Sequence, residues 1–245
     1  MSGAQDRAAA AAGPAAPPAP NPWRLILTLA GAGLLSGLAI AGIYQVTLPR
    51  ITANKAEAMR RAVFEVLPGA ERLQRLVWTD GSLAPGEKGE PSVYSVYRAD
   101  GTFIGYAVPA EGAGFQDNIK LIYGFLPGER RIVGMRVLES RETPGLGDRI
   151  IKDQAFVGQF RDLSVDPELV LVKGKGTEPN HVDAITGATI SSAAVVKILN
   201  AATAAWTPRL PGPGDAPPAP PGEGAPAPET GAPEATAPPT VEGGS

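Results

Sequence analysis

The stretch most suggestive of chemistry is the run DAITGAT, from Asp183 to Thr189, which precedes a helical pattern with an apolar stripe. Gly187 permits another molecule to approach the backbone closely. Thr189 falls at or just before the predicted helix N-terminus, where unpaired N–H groups and the positive end of the helix dipole suit a phosphate. Its small neighbours leave the hydroxyl sterically open. On physical grounds alone, an ordinary threonine helix cap remains the alternative.

A second candidate segment lies upstream, where Glu142 to Gly147 read ETPGLG. A proline and two glycines favour a rigid turn whose N–H groups can face the oxygens of a ligand. The alternative is a plain turn between a strand and a helix. Arg149, Lys152 and His181 are nearby candidates for ligand contact, and for these three we favour exposed, solvated side chains.

The composition excludes several kinds of site. The 245 residues include no cysteine, so a disulfide, a thiolate nucleophile, an iron–sulfur cluster and cysteine-bound zinc are all impossible. A single histidine excludes a multi-histidine metal site, and we predict neither a metal site nor a catalytic residue. The net charge of -3 comes from the tail after residue 207, and the body lacks the basic stripe of a nucleic-acid-binding protein.

The N-terminal part predicts a membrane anchor. Residues 25–44 carry no charge, and a helix of that length rises about 30 Å, the thickness of a hydrocarbon core. A cleaved signal peptide is the alternative, but its apolar core is usually only about 7–15 residues long. Four basic residues between positions 50 and 61 would, by charge count alone, keep the following domain in the cytoplasm.

The body predicts an α+β fold in which an antiparallel sheet is flanked by helices. Segments with alternating apolar residues surround an Asp-Gly hairpin signal at 100–101, and Ile119, Leu121, Tyr123 and Phe125 are expected on one face. Helical patterns over 52–67, near 148–160 and over 190–205 complete the set. The predicted domains are a disordered segment 1–22, a transmembrane helix 23–48, a juxtamembrane helix and connector 49–90, a ligand-binding domain 91–207 and a disordered Pro/Ala/Gly-rich tail 208–245.

These residues resemble a known family. The pattern D-x-x-T-G-A-T is similar to the flavinylation motif of FMN-binding domains. The ETPGLG segment, 47 positions before Thr189 when counted from Glu142, resembles that of the G subunit of ion-translocating (Rnf) electron-transport complexes and of the related protein in the Na⁺-translocating NADH:quinone reductase, its C subunit. The resemblance covers roughly residues 25–205. It departs at 114–118, where the family often has a Gly-Gly-Tyr-like turn, and at 140–141, near which a histidine is often found.

The resemblance implies that FMN is attached through its phosphate to the Thr189 hydroxyl by a flavin transferase that uses FAD and magnesium. Asp183 would help to activate the hydroxyl or bind the metal of the transferase. The cofactor-binding residues implied with Thr189 are Asp183, Thr186, Gly187, Ala188, Glu142, Thr143, Gly145 and Leu146.

The function implied is that of an electron-relay subunit in a complex that couples ferredoxin/NAD-type electron transfer to ion translocation. Its partners would be membrane lipid and the other membrane and iron–sulfur subunits, and not nucleic acid. The flavin domain is expected on the periplasmic side of a bacterial inner membrane, against the local charge count. The alternatives are a C-type quinone reductase subunit, a free-standing extracellular electron-transfer flavoprotein, and a non-catalytic structural protein of the envelope.

Overall fold

The computed structural model describes residues 21–86 and 88–220, and the chain divides into two compact units, Met1–Lys55 and Ala56–Ser245. The predictions of disorder for residues 1–20 and 221–245 fall outside the described residues. The bounds of the remaining elements are given below in chain order.

Helix α1 runs from Pro22 to Val66 and is 45 residues long. It is long and apolar enough to cross a membrane, and the side chains of its uncharged stretch, residues 25–44, are exposed. The sequence predicted two helices separated near Pro49, whereas the structure has one. Pro49 removes a single helical hydrogen bond, and the carbonyl that it frees, on Gln45, belongs to an exposed residue that water can reach.

The second unit is built on a seven-stranded sheet in the order β2-β1-β3-β4-β5-β6-β7, in which all pairs are antiparallel. This confirms the predicted α+β class. The strands are β1 Arg72–Thr79, β2 Ser82–Pro85, β3 Ser92–Tyr97, β4 Phe103–Ala113, β5 Asn118–Leu126, β6 Arg131–Glu139 and β7 Leu163–Ser164, with a parallel pair, β8 Val170–Val172 and β9 His181–Asp183, outside the sheet. The helices are α2 Arg149–Lys152, α3 Gln154–Gly158 and α4 Thr189–Trp206.

The sequence prediction missed β1 and β2, which it assigned to a connector. In β1 the neighbours Leu76 and Val77 are both buried, so this strand lacks the alternation that marks a half-buried strand. Its place in the sheet is decided by its pairing with β2 and β3 on either side.

The sheet carries a core on each of its faces. Val63, Val66 and Leu67 at the end of α1 pack against one face. Helix α4 packs against the other, which holds the four residues of β5 predicted to share a face. The strand pattern therefore placed the main core correctly.

The end of α1 lies over a slot formed by two glycines. Gly124 of β5 and Gly134 of β6 are partners in the sheet, and both lie directly beneath the Val66 carbonyl. A Cβ on Gly134 would come within 2.7 Å of that oxygen, and a Cβ on Gly124 would come closer still. Any larger residue at either position would force the helix end away from the sheet.

The segment after α4 differs from its prediction. Its composition predicted disorder from Pro208 onward, but Leu210 is buried in the α4-side core and a short 3₁₀ helix, Pro213–Asp215, contacts β4. The physical reason is that α4 contacts β4 and β8, which leaves aromatic surface of β1, β3 and β4 for another segment to cover. The composition of the tail predicts disorder when the tail is considered alone, but it does not include the apolar surface of the domain against which the tail can pack.

We predict that Gly134→Ala lowers the free energy of unfolding by about 2–3 kcal/mol, because overpacking against a backbone carbonyl has no flexible side chain to absorb it. Urea denaturation of the full chain in detergent, followed by circular dichroism, measures the change. Gly158→Ala in α3 is the control, since a Cβ there meets nothing within 4 Å, and its effect should stay within about 0.5 kcal/mol. Equal effects from the two variants would contradict the slot.

Candidate functional site

The N-terminus of α4 is open to a ligand. The helix begins at Thr189 with Ala188 as its N-cap, no side chain of the described residues caps it, and its first turn has no acidic residue. Gly187 has a φ of 85°, a left-handed conformation that glycine adopts without strain. The first N–H groups of the helix and its positive dipole end are therefore available to an anion.

The Thr189 hydroxyl is weakly engaged. Thr189 is partly exposed, and its Oγ1 lies 3.5 Å from the Ile185 carbonyl oxygen, at the limit of a hydrogen bond. The turn before it is instead held by Ser192, whose Oγ donates to the Ala188 carbonyl at 2.9 Å and accepts from the Ile185 N–H at 3.2 Å. Thr189 is thus the first residue of the helix and does not act as its cap.

The ETPGLG segment forms a tight turn that leads into α2. The Thr143 carbonyl accepts from the N–H groups of Leu146 and Asp148. The Gly145 N–H donates to the Asp148 carboxylate at 2.8 Å, and Gly145 has a φ of 79°. The Thr143 hydroxyl donates to Gln116 Oε1 at 3.1 Å, which connects the turn to the loop between β4 and β5.

Glu142 joins this turn to the start of α4. Its side chain is buried, and one carboxylate oxygen, Oε2, accepts from Ser191 Oγ at 2.6 Å. The other, Oε1, accepts from the N–H groups of Phe115 at 2.8 Å and Gln116 at 3.1 Å. Gly147 packs against the same group, since a Cβ there would lie 2.6 Å from Glu142 Oε2 and 2.8 Å from Ser191 Oγ.

The hydrogen bonds at Glu142 decide its charge. Burial by itself raises the pKa of a carboxyl group. The donors around Glu142, the Ser191 hydroxyl and backbone N–H groups of the β4–β5 loop, outweigh burial and bring the pKa of Glu142 below its ordinary value. The carboxylate is therefore ionised at neutral pH and accepts charge-assisted hydrogen bonds.

Arg149 provides a second link between the two segments. Its guanidinium donates to the Thr186 carbonyl at 2.6 Å and bonds to Asp153 at 3.3 Å. The interpretation of Arg149 as a purely solvated charge is therefore wrong. Lys152 is mostly exposed and pairs with Asp148, in agreement with its interpretation as a surface residue.

Asp183 and His181 lie on β9, and their side chains accept hydrogen bonds from backbone N–H groups of the loop before it. The Asp183 carboxylate accepts from the Gly176 N–H at 2.6 Å, and within the described part of the chain no hydrogen bond joins it to Thr189. Nδ1 of His181 is 3.3 Å from the N–H groups of Thr177 and Glu178. His181 is therefore partly buried in a strand and is not the exposed loop residue that we expected.

Three large apolar side chains remain exposed around Glu142, although the sequence had indicated only one of them. Phe115, Leu146 and Ile190 are 63%, 52% and 60% exposed. The Phe115 N–H donates to Glu142, Leu146 precedes Gly147 in the chain, and Ile190 precedes Ser191, which also bonds to Glu142. A helix start that can accept an anion, beside an apolar surface, suits a ligand with a phosphate and a flat ring, so the residues present fit FMN. Phe115 and Ile190 carried no signal in sequence, since their exposure depends on the packing of their neighbours.

Comparisons with known proteins agree with this geometry. Residues 114–204 match the family model of the FMN-binding domain. The G subunit of the ion-translocating oxidoreductase complex of Methanosarcina acetivorans is 33% identical over 181 residues, which cover 73% of this chain and 91% of that protein. The G subunit of the proton-translocating ferredoxin:NAD(+) oxidoreductase complex of Clostridium ljungdahlii is 33% identical over 164 residues, 66% of this chain and 80% of that protein.

The fold also has a counterpart among solved structures. The C subunit of the Na(+)-translocating NADH-quinone reductase from Parabacteroides distasonis superimposes with a TM-score of 0.50 and 20% identity. The match covers 64% of this chain and 94% of that one, and it supports the fold alone.

We predict that Ser191→Ala lowers the free energy of unfolding by about 2 kcal/mol at neutral pH, because it removes a hydrogen bond to a buried charge. A carboxyl group whose pKa is lowered by folding stabilises the fold above its unfolded pKa and loses that contribution as the pH falls through its folded pKa. The gap between wild type and variant should therefore shrink below pH 4.5, the ordinary pKa of the group. Urea denaturation between neutral pH and about pH 3 measures both effects.

The control for this prediction is Ser82→Ala, which changes an exposed serine of β2. Its stability should match that of wild type at every pH. A gap for Ser191→Ala that is constant across the pH range would contradict the role of the Glu142 charge.

Proposed function

This chain belongs to the family of G subunits of ion-translocating oxidoreductase complexes, and from this premise we propose that it relays electrons through FMN held covalently on Thr189. The observation that carries the proposal is the joining of the ETPGLG turn to the start of α4 by the Glu142–Ser191 hydrogen bond of 2.6 Å. This contact places an uncapped helix N-terminus and a weakly engaged hydroxyl beside an apolar surface.

We assign each residue of the site a separate role in holding the cofactor. The first N–H groups of α4 would hold the phosphate, and Phe115, Leu146 and Ile190 would shield the ring from water. Glu142 and Arg149 position these groups through the Ser191 hydroxyl and the Thr186 carbonyl. Bound FMN supplies reversible uptake and release of electrons.

Attachment requires a hydroxyl that an enzyme can reach. Thr189 Oγ1 would attack the phosphorus of FAD on the FMN side; the P–O bond to the AMP half would break, with AMP as the leaving group and the hydroxyl proton released to water. Thr186 and Gly187 are exposed or partly so, as is Thr189, which leaves this turn accessible to a flavin transferase. We assign Thr186, Gly187 and Ala188 to the surface that such an enzyme recognises.

Asp183 belongs to the same surface in this proposal. Its carboxylate holds the Gly176 N–H and so orders the loop beside the TGAT turn. A direct role for Asp183 in activating Thr189, or in binding the magnesium of the transferase, would require release of Gly176. We therefore propose that Asp183 is part of the surface that the transferase recognises and does not itself activate the Thr189 hydroxyl. Thr143, Gly145 and Leu146 complete the predicted site by forming the turn that faces α4.

The wider setting follows from the family. The relatives are components of larger assemblies, so other proteins of such an assembly are the proposed electron donors and acceptors. Since this chain has no cysteine, any iron–sulfur centre belongs to those partners. The apolar helix anchors the chain in lipid. We place the flavin domain on the periplasmic side, where a covalent bond would prevent loss of FMN by diffusion.

We predict that Thr189→Ala abolishes the FMN adduct when the full chain is produced with a flavin transferase, because no other hydroxyl occupies the first position of α4. Intact mass and in-gel flavin fluorescence measure the adduct. Thr207→Ala is the matched control, since it removes a threonine hydroxyl just beyond the opposite end of the same helix, and its adduct should be unchanged. Absence of FMN from wild type under these conditions would contradict the proposal and favour a structural envelope protein.

We predict that alkaline phosphatase fused after Ser245 is active in a bacterial host, because that enzyme needs the oxidising compartment outside the inner membrane. A fluorescent protein that folds only in the cytoplasm, fused at the same position, should stay dark. The opposite pair of results would support the charge count and refute the periplasmic assignment.

A further inference from the structure

The segment that follows α4 crosses the sheet at the end of the helix opposite Thr189. We call residues 207–220 the C-terminal strap. Arg209 stacks on Trp78 of β1 and Trp206 of α4, with its guanidinium carbon 5.4 and 5.8 Å from the two ring centres. Leu210 then inserts into the core.

An aromatic surface on β3 and β4 receives the second half of the strap. Its members are Tyr97, Phe103 and Tyr106, whose rings meet edge to face with centres 5.7 and 4.9 Å apart. Both tyrosines are buried, with exposed fractions of 1% and 0%. Buried hydroxyl groups need hydrogen-bond partners.

The strap supplies these partners from proline residues. Tyr97 Oη donates to the Pro217 carbonyl at 2.5 Å, and Tyr106 Oη donates to the Pro211 carbonyl at 3.3 Å. Proline has no N–H and offers the backbone only as an acceptor, which suits a surface that presents hydroxyl donors. Burial raises the pKa of Tyr97 and of Tyr106, so both stay protonated.

The backbone of the strap is extended on either side of the 3₁₀ turn Pro213–Asp215. Gly212 has φ −64° and ψ 172°, and Ala216 has φ −62° and ψ 143°. Prolines at 211, 213, 217, 218 and 220 hold their own φ at about −65°, a value that suits both the 3₁₀ turn and the extended flanks, and so restrict the segment before it binds. Aromatic surfaces that bind Pro-rich segments exploit this low entropic cost.

Two hairpin tips leave room for the strap. A Cβ on Gly128, between β5 and β6, would lie 3.2 Å from Pro213 Cγ. A Cβ on Gly101, between β3 and β4, would lie 3.6 Å from the Ala219 Cβ. The strap therefore runs past the tips of two neighbouring hairpins.

We propose that the surface of Tyr97, Phe103 and Tyr106 is a binding site for a proline-rich segment, and that residues 211–219 are its ligand. The contacts that carry recognition lie after Leu210, which completes the core. The ligand is thus a peptide tethered to its own site, and it can bind the same surface after the tether is cut. This site is separate from the flavin site and does not depend on the proposed electron relay.

The test uses the full chain with a specific protease site inserted between Leu210 and Pro211. After cleavage, residues from 211 onward should stay bound through gel filtration and exchange with a labelled synthetic peptide of residues 211–220. Tyr97→Phe should weaken the affinity for this peptide about fivefold, the effect of one hydrogen bond of about 1 kcal/mol. A peptide with Pro213 and Pro217 replaced by alanine should also bind about fivefold more weakly, because it loses its preset conformation.

Tyr123→Phe is the matched control, since its hydroxyl lies 3.4 Å from Thr203 in the α4-side core, and peptide affinity should not change. Equal weakening by Tyr97→Phe and Tyr123→Phe would overturn the proposal. So would dissociation of the cleaved segment without peptide binding, or loss of the fold upon cleavage, which would make the segment part of the core.

A second measurement needs no cleavage. Because the chain has no cysteine, the pair Gly128→Cys and Pro213→Cys provides the only thiols, and a Cβ at position 128 would lie 3.2 Å from Pro213 Cγ, so the two thiols would be neighbours. We expect oxidation to join more molecules of this pair than of a pair without this contact. Gly128→Cys with Pro218→Cys, a position that lies beyond the contact with Gly128, should remain mostly reduced. Equal oxidation of both pairs, or of neither, would refute the docked strap.

Discussion

The arrangement of the candidate site depends on one buried carboxylate. Burying a carboxylate away from water costs several kcal/mol unless its oxygens accept hydrogen bonds from nearby donors. At Glu142 the donors come from two other segments, the loop between β4 and β5 and the first turn of α4. This carboxylate therefore connects three segments that are distant in the chain, and their relative positions define the site.

The direction of this carboxylate also decides what the helix start can bind. Glu142 reaches the first turn of α4 through the Ser191 side chain, and among the described residues no side chain caps the helix N-terminus. The anion-binding capacity of the helix is therefore left for a ligand. The Arg149 side chain donates to the backbone carbonyl of Thr186 and so holds the turn that precedes α4, while Gly187 in the same turn stays exposed.

Helix α4 is held at both ends, and this connects the site to the rest of the fold. Ser191 ties its first turn to Glu142, while Trp206 and Leu210 bury its far end in the core on the same side of the sheet. The C-terminal strap covers the aromatic surface that the helix does not reach. A threonine at the first position of a helix fixed in this way keeps a constant position, which the proposed attachment of an electron carrier would require.

The sequence by itself determined the local features: the apolar helix, the alternating strands, the α+β class, the positions of the two loops and the candidate hydroxyl. These depend on periodicity and residue type, which are properties of short stretches. Only the tertiary structure decided that Glu142 and Ser191 meet, that Arg149 binds a backbone carbonyl, that Asp183 serves a different loop and that the strap docks on Tyr97 and Tyr106. Each of these contacts joins residues that are distant in the chain or depends on which surface the other elements leave exposed. Neither can be predicted from the residue pattern of a short stretch.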